Sequence, residues 1–447
     1  MRRSILAAAT AVVLAGSLLA AGVSPTAADG RTVPTPAGAS TAVPVDAPGD
    51  AAGQALAAAR RALGLGATSH ARRAPERAPA RPDARPTARP DATLALRDLF
   101  RALPQLGDQD RREAHGLLAR PTDGDGDREG DGYTVAAEKK CRNHVCVHWV
   151  ESTADAPPDE AWVGTTLTFM NKVWRTEVGS LGYRPPVSDR HRGGNGKFDV
   201  YLKELGARGL YGYCAPERRA PGEKWLASGY CVLDNDFSQD QYGAPPRDSL
   251  RVTAAHEFFH AVQFAYDYGE DPWLMEATAT WMEEKVADDV NDNRQYLPYG
   301  QLGAPASPLD TLNQEGFNQY GNWLFVEYLA HRFGDGVVRA IWTRAGAYPG
   351  SGHQYSTNAV KGVLKTRGGF PGVYRSFAVA NVIPARTYRE GDKWAGSPAT
   401  ARWSLSADSP RRATTLRINH MSSRNVVVTP DAALEGKRWR LRVVVDG

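Results

Sequence analysis

The stretch DSLRVTAAHEFFHAVQFAYD, Asp248 to Asp267, contains neither Gly nor Pro and is strongly apolar, yet it carries His256, Glu257 and His260 at its middle. Its spacing predicts a helix from Asp248 to about Tyr266, with Asp248 or Ser249 able to cap the start. Residues four apart on a helix emerge on one face, one turn apart. The two imidazoles can therefore reach a single metal ion at roughly 2.0–2.1 Å. Glu257 projects beside them, placed to take a proton from water that a metal has made acidic. With 10 His in 447 residues, chance produces such a motif on the order of once in a hundred chains. The competing explanation is a core helix with hydrogen-bonded histidines. Burying three polar groups without a shared partner is costly, which favours a metal.

A catalytic zinc site needs a third protein ligand and leaves the fourth position to water. The chain turns at Asp271-Pro272 and continues as WLMEATATWMEEKV, Trp273 to Val286. A short loop followed by an antiparallel helix brings Glu276 back over the two histidines. Its neighbours Trp273, Leu274, Met275, Ala277 and Ala279 are apolar, so a lone carboxylate there needs a reason. Glu283 and Glu284 are the alternatives, but they precede Lys285 near the helix end, where a solvated charge is ordinary.

HEFFH followed by WLMEATATWMEE resembles the gluzincin clan of zinc peptidases, which use two histidines and a downstream glutamate. It is also similar to an uncharacterised family of secreted bacterial proteins of metalloprotease type, built around the same two helices. The match is specific over Ala254 to Glu284 and extends in outline over residues 133–390. The resemblance implies a zincin-like domain: a mixed sheet, an active-site helix and a helical C-terminal subdomain. It implies that His256, His260 and Glu276 hold Zn2+, and that Glu257 is general base and acid in peptide-bond hydrolysis. Gluzincins often add a Tyr or His that holds the oxyanion. Tyr320, in Tyr320-Gly-Asn-Trp-Leu-Phe, is nominated for that role, although a tyrosine at a helix start is more often a packing residue; His331 is a weaker candidate. The Gly-x-Met-Glu-Asn segment with which the aminopeptidase branch holds a free amine has no counterpart before His256. The upstream YCVLDNDF, Tyr230 to Phe237, reads as an edge strand able to align an extended peptide by backbone pairing. Internal cleavage is therefore expected.

The ends carry a different composition. Arg2-Arg3 and the apolar Ile5–Ala21 read as an export signal cleaved after Ala28, with no lipid-anchor cysteine and too short for a bilayer-crossing anchor. Residues 29–132 read as a disordered linker or pro-segment, dominated up to about residue 90 by Ala, Pro, Arg, Gly and Asp. Within it, residues 93–106 have helical apolar spacing, and such a helix either covers the active site before activation or simply packs on the domain. Asp123, Asp125 and Asp127 alternate as in a calcium loop, but Arg128 stands where glycine is needed, so an acidic linker is preferred. The 4 Cys form two local couples, Cys141 with Cys146 and Cys214 with Cys231, expected as disulfides in an exported chain. A net charge of +4 on this length indicates neither nucleic acid nor an anionic membrane as a partner.

Ordered composition begins near Tyr133. Strands are expected at Val145–Val150, Phe198–Leu202 and Tyr230–Leu233, and helices at Ala161–Val178, Trp273–Ala287 and Tyr320–Phe333. Strands first and helices afterwards indicate an α+β class. Residues 391–447 form a β-rich tail with strands at Thr415–Ile418, Asn425–Thr429 and Trp439–Val445, its completeness left open because the last run ends at Gly447. His144 and His148 share a strand face without an acid–base partner, and are read as packing or surface residues. The expectation is a secreted, zinc-dependent peptidase with a protein or peptide substrate and no membrane anchor once the signal is removed. The rivals are a zinc hydrolase of non-peptide substrates, a binding protein with a vestigial site, and an enzyme latent until its pro-segment leaves. Nothing in the sequence indicates an oligomeric state.

Overall fold

Three strands whose every residue is buried lie at the centre of the chain's main sheet, and that burial decides what surrounds them. The computed structural model describes residues 10–16, 51–65, 92–124, 131–313 and 316–434, with isolated positions beyond. In chain order the first part comprises β1 (Thr10–Gly16), α1 (Ala51–Ala62), α2 (Thr93–Ala102) and α3 (Asp108–Leu117). There follow β2 (Ala137–Arg142), β3 (Val145–Val150), α4 (Glu160–Trp174), β4 (Phe198–Lys203), β5 (Gly212–Arg219) and β6 (Ala227–Asp234). The helical half holds α5 (Gln239–Tyr242), α6 (Pro246–Asp267), α7 (Pro272–Ala287), α8 (Asn318–Gly321) and α9 (Trp323–Phe333). It continues with α10 (Gly336–Ala345), α11 (Thr357–Leu364) and α12 (Gly369–Ala380), before β7 (Ala401–Leu405) and β8 (Ser422–Pro430). The class is mixed α+β.

The main sheet runs β2-β3-β4-β6-β5. Its central strands β3, β4 and β6 are parallel, and each outer strand pairs antiparallel with its neighbour. Complete burial of those three strands means that both faces are covered. On one face Phe198 of β4 meets Phe258 of α6 edge to face, their centroids 5.2 Å apart. On the other, Asp199 and Tyr201 meet Arg120, and Tyr230 donates its hydroxyl to the Ala119 carbonyl. Disulfides join Cys141 to Cys146 across the β2–β3 hairpin and Cys214 to Cys231 across β5–β6. No helix among the described residues is long and apolar enough to cross a membrane.

Several expectations need correction. The run Tyr230–Phe237 is not an edge strand: β6 lies between β4 and β5, and β5 is the edge. Pro216 marks it, since proline is confined to edges and bulges, and the β5–β6 register shifts between Pro216 and Arg218. The segment read as linker contains two further helices, α1 and α3. In α1 an Ala-rich, strongly helix-forming stretch buries Leu56 and Ala59, a stripe that its composition conceals. Helix α6 begins before Asp248, at Pro246, whose fixed φ and missing N–H suit a first helical position; no side chain caps it. In the tail, β8 contains the expected Asn425–Thr429, whereas Thr415–Ile418 is irregular and β7 lies earlier. A second sheet has the order β1-β8-β7, so part of the stretch read as an export signal pairs with β8. The cleavage position after Ala28, most of the proline-rich run, residues 125–130 and most of the run from Trp439 onward lie outside the described residues.

Candidate metal centre

Helix α6 is buried on nearly every side from Ser249 to Tyr266, which explains why its sequence is apolar without a stripe. It runs between the sheet and α7. At its centre His256 and His260 sit one turn apart, with ring centroids 4.9 Å apart and planes at 71°. The chain reverses through residues 268–271, where the Asp271 side chain caps α7 by accepting from Trp273 N, and Pro272 takes the first turn. Helix α7 then packs along α6. Its Glu276 Oε2 stands 3.2 Å from His256 Nε2 and 3.8 Å from His260 Nε2. One ligand atom from each of the three residues lies within 4.8 Å of the others.

The second nitrogen of each ring decides what the first can do. His260 Nδ1 is 2.8 Å from Gln263 Oε1. Gln263 uses its Nε2 to donate to the Met275 carbonyl, at 2.9 Å, so its oxygen must face the imidazole. Nδ1 of His260 is therefore the protonated nitrogen, and Nε2 presents a lone pair. A neutral His256 ring that donates from Nδ1 to Glu283 Oε1, 2.8 Å away, turns Nε2 as an acceptor toward the same space, 3.2 Å from Glu276 Oε2. Two lone pairs and a carboxylate thus converge in a buried space, a donor set that suits a divalent cation and is costly without a positive charge. The residues present fit zinc on this test, with outer carboxylate and amide partners of the kind that orient metal-bound imidazoles. Burial pushes the Glu283 carboxyl up to about 7, opposed by its bond to His256.

Glu257 is buried beside this group, and its Oε2 accepts from the Thr93 hydroxyl of α2 at 3.0 Å. The edge strand passes directly over it. A Cβ added at Gly212 would stand 3.1 Å from Glu257 Cγ and 3.0 Å from the Val232 carbonyl, so the residue there must be small. Tyr320, 5 % exposed, lies with its ring nearly parallel to that of His256, centroids 5.8 Å apart. It belongs to an aromatic group with Tyr296 and Phe317.

The structure thus brings together His256, His260, Glu276, Glu257 and Tyr320. His331 is exposed at the end of α9. His148 is buried and bonded to Asp199 at 2.7 Å, a packing residue, whereas His144 is exposed and stacks on Trp174 at the surface. Asp123 accepts from Arg192 and from Arg120 N, which occupies it within the segment that resembled a calcium loop. Sequence reasoning missed Gln263, Glu283 and Thr93. The position of Glu283 just before Lys285 predicts a solvated charge, yet the residue is buried, and it lies two turns from Glu276 on the same face. Gln263 follows His260 by three positions, also on one face. Those spacings were available; Thr93, far off in sequence, left no such signal.

No family model matches the chain, and no curated protein matches it.

Proposed function

We propose that this protein is a secreted zinc-dependent endopeptidase on a zincin-like domain. The observation that carries the reading is the buried convergence of His256 Nε2, His260 Nε2 and Glu276 Oε2, with both other ring nitrogens held by acceptors. Zinc bound there would supply a Lewis acid that acidifies water and polarises a carbonyl.

The chain's own groups do the rest. Glu257 takes the proton of the attacking water and returns it to the amine as the C–N bond breaks. Tyr320, whose ring stacks on His256, donates to the carbonyl oxygen as it becomes anionic. The outer edge of β5, lying over Glu257, would align an extended substrate by backbone pairing once α2 leaves it, which suits cleavage within a chain. Secretion is supported by two disulfides, which persist in oxidising compartments, and by the N-terminal pattern.

The test is cleavage of a mixed peptide library, read by mass spectrometry, by the zinc-loaded chain before and after nicking ahead of Tyr133. Cleavage should be abolished by a chelator. Glu257→Gln should lower it about 10²–10⁴-fold with zinc content unchanged. A zinc-loaded chain that cuts nothing in either state would contradict the reading and favour a binding protein.

A further inference from the structure

Helix α2 comes from the segment that sequence reads as a pro-segment, yet its inner face is as buried as the core. Ala92, Thr93, Leu96 and Leu99 are fully buried and Arg97 is 1 % exposed. Two of these residues occupy positions that a substrate would need. Thr93 Oγ1 accepts from the Cys214 N–H at 2.9 Å and donates to Glu257 Oε2 at 3.0 Å. The Cys214 N–H points away from β6, off the free edge of the sheet, where an incoming peptide would pair. One hydroxyl thus occupies both the edge strand's donor and the proposed general base.

One turn further along, Arg97 is driven into the loop that joins the two ligand-bearing helices. Its Nη1 donates to the Glu270 carbonyl at 2.7 Å and lies 3.1 Å from Sδ of Met275, the residue directly before Glu276, while Nε and Nη2 donate to Asp98 Oδ1 of its own helix at 3.1 and 2.6 Å. The loop is acidic, with Asp267, Glu270 and Asp271 within five positions. Among the described residues the cationic groups that face it are Arg97 and Arg101 of α2, Arg219 of β5 beside Tyr268, and His353. Glu270 is fully buried, and its Oε2 has no hydrogen-bond partner among the described residues. Phe100, next along the helix, sets its ring edge-on to Tyr268 at 5.4 Å.

Resting on the peptidase reading above, we propose that α2 is a built-in pseudosubstrate. It keeps the folded chain latent, and the Arg97 pocket is the subsite for a basic side chain of the peptide that replaces it. The substrate class is therefore a peptide with Arg or Lys close to the scissile bond, lying on β5 with that side chain against the Glu270 carbonyl and the acidic loop.

The experiment uses the full chain loaded with Co2+, whose visible absorption reports on the metal centre, titrated with N-acetyl-arginine hydroxamate and N-acetyl-glutamate hydroxamate. Arg97→Asp places an acid against the acidic loop and unseats α2 without altering the pocket. Leu99→Asp does so from the opposite, core-facing contact, so each variant checks the other. Both variants should half-saturate with the arginine probe at about tenfold lower concentration than the wild type, because an occluded site binds in proportion to its open fraction. They should also prefer the arginine over the glutamate probe by about tenfold or more. Equal half-saturation in wild type and variants would overturn the plug. Equal affinity for the two probes in the variants would overturn the basic subsite. A wild-type chain with no cobalt band would instead remove the metal centre on which both rest.

Discussion

His256 and His260 each spend one ring nitrogen on a neighbour, and the identity of that neighbour sets the charge of the other. Glu283 presents a carboxyl whose charge burial opposes and the bond to His256 favours; Gln263 presents a neutral amide oxygen, locked by the Met275 carbonyl. As candidate ligands the two therefore differ in how much they depend on an outer partner's charge. Glu283→Ala is expected to lower zinc affinity about 10–100-fold, as loss of an outer partner commonly does. Glu283→Gln keeps an oxygen for Nδ1–H and should lose less. Competition against a chromophoric chelator measures both, and an unchanged affinity in Glu283→Ala would mean that the ring is held by packing alone.

At the scale of elements, the α6–α7 pair forms the site, and its connecting loop carries the strain of burial. Glu270 accepts from Asp271 N and Ser356 N at 2.7 Å each, but burial pushes its carboxyl from the usual 4.5 up to about 7. The folded state thus holds this proton to higher pH than the unfolded chain does. Stability from this group is greatest below pH 4.5 and falls as the pH rises to about 7, by up to about 3 kcal/mol. Glu270→Gln should remove that slope, so that the variant gains on the wild type between pH 5 and 8 in urea unfolding. Parallel pH profiles for the two proteins would show that Glu270 ionises normally. Both helices were legible in sequence because their runs lack internal breakers and are separated by the turn at Asp271-Pro272. Strand β5 was not, because Pro216 and the charged Glu217-Arg218-Arg219 read as loop; only the pairing with β6 makes it an edge. Helix α1 was hidden for the opposite reason, an Ala- and Arg-rich composition that looks like linker until Leu56 and Ala59 find a surface.

Across the whole molecule, one buried cation joins the N-terminal segment to the sheet. The Arg120 guanidinium, about 2 % exposed, pairs with Asp199 of β4 at 2.6 Å, Glu217 of β5 at 2.8 Å and Asp189 at 2.9 Å. Asp199 in turn holds His148. Arg120→Ala leaves three carboxylates buried without their cation and should cost about 3–5 kcal/mol, seen as a lowered urea midpoint. A loss under about 1 kcal/mol would show that water or side-chain movement replaces it. None of these partners could be paired from sequence, since each lies on a different element. The candidate ligands could, because two share a helix and the third returns on the next.

In the function proposed above, His256, His260 and Glu276 bind one metal ion. Calorimetric titration of chelator-stripped chain with Zn2+ tests it, alongside Glu276→Ala and His260→Ala. The wild type should take up a single ion tightly, and each variant should bind at least about a hundredfold more weakly. A wild-type chain that takes up no zinc, or variants that bind as tightly as the wild type, would contradict the claim.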